Sequence, residues 1–245
     1  MNPVLLTGAT GFIGQRLQKT LLADGTGVIA LVRPSSRHKD SLPDDTETLY
    51  SDLDDNTRLV PAIARASAVI YCAGSVRGRT LEDFSAANVR GVRAVVDAIN
   101  HSSQRIPLLL ISSLAASRPE VSDYANSKFL GEQQVVDHAD FPWTIYRPPA
   151  VYGPGDQEML PILKLARRGW ITPAGPSDQR VSLIHVDDLA SAVLAWLKSP
   201  EKCTHQIYTL DDGHDRGYSW DEIAEIVSHG RYRWDNITRW ILHGA

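Results

Sequence analysis

The sequence has few of the features that would assign its 245 residues to several common functional classes. Its two cysteines, Cys72 and Cys203, lie far apart and in no metal-ligand spacing, which predicts reduced thiols, no metal site and a cytoplasmic protein. No apolar run reaches the ~18 residues of a membrane span, and none near the start has the form of a signal peptide. With a net charge of −4, the sequence offers no basic surface for nucleic acid. The remaining features, including a hydrophobic content of 43%, suit one large α/β domain or a domain with a small lobe.

The most informative stretch is Thr-Gly-Ala-Thr-Gly-Phe-Ile-Gly at residues 7–14. The apolar residues before it predict a short buried strand, and those after it recur at helical spacing, so the glycines lie at a strand-to-helix turn. Glycines at these positions allow a tight turn, let the backbone approach a pyrophosphate and let the helix pack closely on the strand. The free N–H groups of the helix then face the phosphates. An ordinary glycine-rich turn is the alternative. We predict a dinucleotide site that includes Gly8, Thr10, Gly11, Phe12, Ile13 and Gly14.

The residue after the second predicted strand, at 28–32, is Arg33. NAD-binding domains usually have an acidic residue near this position, where it bonds the ribose 2′-hydroxyl. Here Arg33 is followed by further hydroxyl and cationic side chains, namely Ser35, Ser36, Arg37, His38 and Lys39. Such a cluster suits a 2′-phosphate, and it predicts NADP in preference to NAD. The alternative is a solvated loop whose charges have no role.

Predicted strands and helices alternate to about residue 198, which favours a doubly wound parallel sheet and an α/β fold class. The longest helices are expected at residues 82–102 and 122–138, and shorter ones at 56–66, 158–168 and 219–227. We expect a cofactor-binding domain over residues 1–198, with residues 152–180 contributing to a substrate lobe. Residues 199–245 would complete that lobe, which is small or truncated, and form the C-terminal tail. The small residues Ala73, Gly74 and Ser75 after the fourth strand leave room for a cofactor.

Three residues form a candidate catalytic group. Ser113 follows a buried strand, and Tyr124 and Lys128 are spaced i and i+4, so a helix puts them on one face. A free tyrosine has a pKa near ~10, and a nearby ammonium is expected to lower it. Lys128 could also donate to the nicotinamide ribose, while Ser113 holds the substrate oxygen and Tyr124 transfers its proton. The group predicts general acid–base catalysis beside a hydride carrier.

The sequence resembles a short-chain dehydrogenase/reductase of the extended type, in the epimerase/dehydratase branch, over roughly residues 3–228. The motifs behind the resemblance are residues 7–14, Asp52-Leu53, Ala73-Gly74, Asn88-Val-Arg-Gly91, Ser112-Ser113, Tyr124-Ala-Asn-Ser-Lys128, Arg147-Pro-Pro-Ala-Val-Tyr-Gly-Pro154 and His185-Val-Asp-Asp-Leu-Ala190. The resemblance implies a Rossmann-like fold and assigns Ser113, Tyr124 and Lys128 as the catalytic triad. By the same resemblance, Asp52 and Leu53 would flank the adenine, and Pro148 and Val151 would line the nicotinamide. It also suggests a homodimer formed through the two long helices.

Some residues depart from the pattern of the sugar-modifying members. Ser113 and Tyr124 are only 11 residues apart, and Leu114-Ala115 stands where sugar 4,6-dehydratases typically have an acidic pair. Arg33 also disfavours the tightly held NAD of sugar 4-epimerases. The main hypothesis is therefore an NADP-dependent reductase or dehydrogenase of a small, fairly apolar carbonyl compound or secondary alcohol.

Two alternatives remain open at this point: a nucleotide-sugar epimerase with retained NAD, and a non-catalytic NADP-binding sensor or assembly factor. The loop at residues 175–180 could cover a ligand or serve as a plain connection. The basic and aromatic tail at 231–242 could meet a membrane or a partner, although packing as an ordinary amphipathic end is favoured. His185 could touch substrate, but a structural role is favoured for it.

Overall fold

The computed structural model describes residues 2–36, 42–168, 170–171, 180–229 and 233–234. Its strands are β1 (Val4–Thr7), β2 (Val28–Val32), β3 (Glu47–Tyr50), β4 (Ala68–Tyr71), β5 (Leu108–Ile111), β6 (Trp143–Arg147), β7 (Ala150–Tyr152), β8 (Trp170–Ile171), β9 (Arg180–Val181), β10 (Leu183–His185), β11 (Gln206–Thr209), β12 (Tyr218–Ser219) and β13 (Arg233–Trp234). Its α-helices are α1 (Phe12–Ala23), α2 (Asn56–Arg65), α3 (Leu81–Ser85), α4 (Gly91–His101), α5 (Asp123–His138), α6 (Met159–Arg167), α7 (Val186–Lys198) and α8 (Trp220–Ser228).

Seven parallel strands form the main sheet, in the order β11-β6-β5-β4-β1-β2-β3. The central strands are short runs of valine, leucine and isoleucine, as expected for strands buried on both faces. The chain winds outward from β1 to β3 and then returns to β4 on the other side of β1. Because the winding reverses there, the carboxyl ends of β1 and β4 flank the crevice where such sheets bind ligands. The predicted doubly wound parallel sheet is confirmed.

Helices cover both faces of this sheet. One core contains Leu5, Ile29 and Val69 from the strands and packs against α2, α4 and α5. The other contains the alternate residues Leu6 and Ile70 and is covered by α1 and α7. Successive side chains of a strand point to opposite faces, so each strand contributes to both cores. The sheet is thereby buried on both faces, and its carboxyl edge supports the site.

The predicted helix at 82–102 contains an irregularity. Helix α3 leads into a π-helical turn, Ala86–Arg90, which leads directly into α4. Such single turns inside helices recur at functional sites. The turn lies against α5 so closely that a Cβ at Gly131 would come within 2.1 Å of the Asn88 carbonyl oxygen. Only glycine fits at position 131, and the turn is thereby held against the helix that contains Tyr124 and Lys128.

The chain divides into two compact units. The first contains Met1–Pro148 and Asp187–Leu210, and the second contains Pro149–Val186 and Asp211–Ala245. The sequence-based boundary at residue 198 precedes β11, which the structure includes in the first unit as the edge strand beside β6. Within the second unit, β7 pairs with β10, β9 pairs with β12, and β8 pairs with β13.

The second unit has its own small core. The buried members are Ala166, Leu183, Trp220, Ile223 and Ala224. Helix α8 begins at the predicted position, with Ser219 and Glu222 forming a reciprocal capping box. His185 lies in β10, where its ring meets the Tyr152 ring edge-to-face with a centroid separation of 5.1 Å.

Some predicted features lie outside the described residues. These are Arg37, His38 and Lys39 of the cationic cluster, residues 175–179 of the loop, and the tail apart from the backbone of 233–234. Among the residues that are described, no helix combines the length and apolar character needed to cross a membrane.

Candidate active site

The glycine turn connects β1 to α1 as the sequence predicts. Gly8 has a φ of +67°, and a Cβ there would lie 2.6 Å from the backbone of Cys72. A Cβ at Gly14 would come within 2.1 Å of the Gly8 carbonyl oxygen, so α1 packs closely on the turn. Gly11 caps α1 with no side-chain hydrogen bond to the first turn. The N-terminal N–H groups of α1 are therefore not occupied by a capping side chain, which is the arrangement that binds a phosphate.

Thr10, Phe12 and Ile13 are half-buried around this cradle, and Thr7 is buried beneath it. Thr10 lies within the turn, and its carbonyl oxygen accepts a hydrogen bond from the Gln15 side chain at 3.0 Å. Phe12 and Ile13 begin α1. Thr7, at the end of β1, accepts hydrogen bonds from the backbone N–H groups of residues 72 and 73, each at 3.1 Å. Thr7 thereby fixes the ends of β1 and β4 side by side beneath the crevice.

The predicted adenosine contacts follow β2 and β3. Arg33 comes directly after β2 and is exposed. Asp52 is exposed two residues after β3, while Leu53 packs against the core beside Gly91. Because β1, β2 and β3 are parallel neighbours, these residues share the carboxyl edge with the glycine turn.

Asn88 holds the loop after β4. Its Oδ1 accepts from the Ser75 backbone N–H at 3.0 Å, and its Nδ2 donates to the Ser75 carbonyl oxygen at 3.1 Å and to the Ser127 hydroxyl at 2.9 Å. Ala73 and Gly74 lie between this clamp and the end of β4. A Cβ at Gly74 would approach Asn88 Oδ1 to 3.2 Å. The π-helical turn thus positions the Asn88 side-chain amide against the loop that is expected to line the cofactor.

Ser113 and Tyr124 meet at the end of β5. Ser113 begins a short 3₁₀ turn, and its Oγ accepts from the Ala115 N–H at 3.2 Å. Its hydroxyl is also hydrogen-bonded to that of Tyr124, the second residue of α5. The Tyr124 ring lies edge-to-face on Phe84, with centroids 5.8 Å apart. Burial raises the pKa of Tyr124, and the hydrogen bond with Ser113 opposes that rise.

Lys128 lies one turn further along α5 and is almost completely buried, with 8% of its surface exposed. Its Nζ donates to the Ile111 carbonyl oxygen at 3.0 Å. Burial lowers its pKa from the ordinary 10.5 to about 8, against the opposing influence of Cys72 and Glu132. The expected lowering of the Tyr124 pKa by Lys128 is not what the structure shows, because burial has the larger effect on Tyr124.

A third residue on this face of α5 was not singled out from the sequence. Glu132 is fully buried, and its carboxylate accepts from the Ser112 hydroxyl at 2.5 Å and from Arg147 Nε and Nη2 at 3.0 and 2.5 Å. Ser112 precedes Ser113, and Arg147 ends β6 just before Pro148. One carboxylate therefore ties α5 to the ends of β5 and β6. Its spacing of four residues from Lys128 was the only available sequence clue.

Pro148 and Val151 lie on either side of the division between the units. Pro148 is buried at the end of the first unit, and its carbonyl oxygen accepts from the Leu114 N–H at 2.8 Å, which ties it to the turn after Ser113. Val151 lies in β7 of the second unit and pairs in register with Ile184 of β10.

The residues present fit a dinucleotide. Gly8 and Gly14 of the glycine cradle leave no room for a Cβ, and the first turn of α1 has no side-chain cap. The buried Lys128 amine donates a hydrogen bond to the Ile111 carbonyl oxygen. The first unit thus combines a phosphate cradle with a hydroxyl pair and a buried amine. No cluster of three or more potential metal ligands occurs among the described residues.

The sequence model of the NAD dependent epimerase/dehydratase family matches residues 4–210, which is most of the chain. The chain belongs to this family. As a family member it is an NAD(P)-dependent oxidoreductase or epimerase of the short-chain dehydrogenase/reductase type. The matched residues include the glycine turn, the candidate triad and all seven strands of the main sheet.

Several known proteins resemble this family member. It is 38% identical to the ceramide reductase of Caulobacter vibrioides (strain NA1000 / CB15N), over 92% of this chain and 69% of that protein. It is 28% identical to the 2-alkyl-3-oxoalkanoate reductase of Stenotrophomonas maltophilia (strain K279a), over 86% of this chain and 70% of that protein. A structure of MoeE5 in complex with UDP-glucose and NAD matches it with a TM-score of 0.77 at 20% identity, over 95% of this chain and 85% of that chain. At that identity the structural likeness shows the fold alone.

Proposed function

We propose that the protein is an NADP-dependent reductase that acts on a carbonyl group in a largely apolar substrate, with Tyr124 as the general acid. The main support is the hydrogen-bonded pair of Ser113 and Tyr124 at the carboxyl end of β5, with Lys128 one helical turn away. The names of the two relatives, a ceramide reductase and a 2-alkyl-3-oxoalkanoate reductase, support reduction and a substrate with hydrocarbon chains.

The pKa directions suit proton donation. Because burial raises the pKa of Tyr124, its hydroxyl keeps its proton at neutral pH and can donate it to a carbonyl oxygen. Ser113 would hold that oxygen through its own hydroxyl. With a pKa of about 8, Lys128 is mostly an ammonium at pH 7 and can donate to ribose hydroxyls. The bound nicotinamide would supply the hydride.

The preference for NADP rests on Arg33. This exposed cation follows β2, at the position where an acidic residue would repel a 2′-phosphate. The glycine cradle and α1 would hold the pyrophosphate in either cofactor, so discrimination depends on the residues after β2.

The test is a screen for NADPH oxidation with ketones of graded alkyl chain length, including 2-alkyl-3-oxoalkanoates and 3-oxo sphingolipids. We expect turnover that requires NADPH and is lost in Tyr124→Phe. A matched screen with NADH measures cofactor preference. Oxidation of NADPH at the same rate by Tyr124→Phe would exclude the proposed acid, and absence of turnover with every ketone would favour the non-catalytic alternative.

A nucleotide-sugar epimerase is the second candidate. Its support is the fold shared with the UDP-glucose-bound structure, at an identity that carries no inference about substrate. An epimerase that oxidises and re-reduces one substrate would retain NAD, so NAD released on denaturation of the purified protein would favour it. We expect none.

We also propose a homodimer through α4 and α5. The motive is that these two long helices pack side by side on one face of the sheet and that Val136 of α5 is 40% exposed. Light scattering at micromolar concentration should give the mass of two chains, and a mass of one chain would exclude the dimer.

A further inference from the structure

Helix α6 has an unusual outward face. Its inner residues Met159, Leu163 and Ala166 pack on the core of the second unit. The outward side is flanked by Leu160 and Leu165, which are about 140° apart around the helix axis and are 39% and 49% exposed. In most surface helices of globular proteins this outward side is polar. Here two leucines lie on it although α6 already has a separate apolar face for packing.

The charges on the same helix are all positive. Lys164 of α6 and Arg168, the C-cap residue directly after it, are exposed at positions i+4 and i+8 from Leu160, so they share its face. Arg167 is also exposed, and the exposed acidic residue Glu158 lies at the other end of the helix, as its N-cap. The chain as a whole has a net charge of −4, so this positive face is opposite in sign to the net charge. Leucine beside lysine and arginine is the composition of helices that lie in the interface of an anionic bilayer.

Two neighbouring features extend the apolar character. Helix α8 packs against α6, and its Ile226 is 60% exposed. On the inner side, Met159 and Leu163 of α6 line a cavity of about 120 Å³, whose other walls are Tyr152, Leu183, Tyr218, Ile223, Ile226 and Val227. The walls of this pocket are mostly apolar, and the pocket opens to solvent beside Ile226. Helix α6 therefore presents cations and leucines outward and separates that face from a hydrocarbon-lined space.

We propose that the outward face of α6, defined by Leu160, Lys164, Leu165 and Arg168, docks the protein on the surface of an anionic lipid bilayer. The cations attract the lipid phosphates, and the two leucines enter the boundary between headgroups and acyl chains. This surface interaction is independent of the proposed reaction, because it requires neither cofactor nor turnover.

The experiment is co-sedimentation of the full-length protein with vesicles of phosphatidylcholine alone or with 30% phosphatidylglycerol, without cofactor. We expect binding to the anionic vesicles that weakens as salt rises from 0.1 to 0.5 M. The double variant Lys164→Gln/Arg168→Gln should lower the partition coefficient about 25-fold, since each cation near an anionic surface contributes roughly a factor of five. The double variant Leu160→Ser/Leu165→Ser should weaken the binding that persists at high salt.

Matched controls come from the first unit. Lys19→Gln/Lys202→Gln removes two exposed cations, and Val76→Ser/Val121→Ser removes two exposed apolar side chains. Both should bind vesicles as the wild type does. The proposal is overturned if the wild type ignores anionic vesicles, if the controls lose as much binding as the α6 variants, or if the α6 variants bind normally. It is also overturned if light scattering shows that the α6 variants dissociate a dimer, because the face would then be an interface between copies.

Discussion

Helix α5 contains two buried charged residues on consecutive turns, Lys128 and Glu132, and they differ in how they are paired. Glu132 is completely enclosed, and both of its oxygens are bonded, to Ser112 and to Arg147. Lys128, one turn earlier, donates a hydrogen bond to the Ile111 carbonyl oxygen and has no carboxylate bonded to it, and burial lowers its pKa to about 8. The difference separates a charge that holds the site together from a charge that is available to a ligand. Buried charges are costly unless paired, so an incompletely paired one marks the position where a partner is expected.

The largest effect should be on turnover, when the proposed proton donor Tyr124 is replaced. Tyr124→Phe keeps the ring on Phe84 but removes the hydroxyl, so turnover should fall by ~10²–10⁴ while cofactor affinity stays within a few fold. Steady-state kinetics and cofactor titration measure the two quantities. Tyr146→Phe is the control, because its hydroxyl bonds the Ala192 carbonyl oxygen at 3.4 Å, away from the triad. If Tyr124→Phe and Tyr146→Phe had equal turnover, Tyr124 would not be the proton donor.

Breaking the ion pair between Glu132 and Arg147 should lower the stability of the protein. Glu132→Gln leaves Arg147 without its counter-charge in a buried network, so the free energy of unfolding should fall by about 3–5 kcal/mol. Urea denaturation measures it. The control is Glu47→Gln, which breaks an exposed ion pair with Arg65 at 2.6 Å and should cost at most about 1 kcal/mol. If the two variants cost the same, the contrast between the two turns has no energetic basis.

Removing the Lys128 charge should instead raise the free energy of unfolding. At pH 7 without cofactor, the fall of the Lys128 pKa from 10.5 to about 8 corresponds to roughly 3 kcal/mol of destabilisation. The lost hydrogen bond to Ile111 offsets about 1 kcal/mol, so Lys128→Met should raise the free energy of unfolding by about 2 kcal/mol. The same variant should weaken NADPH binding.

The pH dependence of that gain follows from linkage. Between pH 8 and 10.5 the unfolded lysine holds its proton and the folded one has lost it, so wild-type stability rises with pH in this window. The advantage of Lys128→Met should be constant below pH 8 and shrink towards pH 10.5. Lys198→Met, at an exposed pair with Asp24, should give no such gain. A Lys128→Met variant that is less stable than wild type at pH 7 would contradict the comparison.

The smallest effect concerns an exposed cation. Arg33→Ala should weaken NADP binding by about 10-fold and leave NAD binding unchanged, because a charge-assisted bond at an exposed site contributes less than one in a buried site. Isothermal titration with both cofactors measures the change, with Arg65→Ala as the control. Equal loss for both cofactors would remove the assigned role of Arg33.

Local sequence patterns predicted much of this structure. The glycine turn, the parallel sheet and the cap at Ser219 depend on neighbouring residues, and α5 was predicted at 122–138 against 123–138 in the structure. The π-helical turn at 86–90 was not predictable, because Val89 within it fits the apolar spacing of the helix that follows. The raised pKa of Tyr124 was also missed, since the i, i+4 spacing shows the lysine but not the depth of burial.

Two further features depend on residues distant in sequence. Glu132 meets partners 20 and 15 residues away, which come from the ends of two strands. Strand β11 was expected in the substrate lobe, because the predicted alternation of strands and helices ended near residue 198. Its pairing with β6, 59 or more residues earlier in the chain, is visible only in the structure. The roles of the triad remain predictions, as does the preference for NADP.

The interrupted course of the first unit has a consequence for synthesis on the ribosome. A nascent chain that ends at Pro148 has six strands of the sheet, but it lacks α7, whose Ala190, Val193 and Trp196 cover the face formed by Leu6 and Ile70. It also lacks β11, so β6 presents an unpaired edge. Both defects persist while residues 149–186 of the other unit are made. During that interval the emerging protein exposes an apolar sheet face and a strand edge together, the two surfaces that chaperones bind and that aggregation exploits.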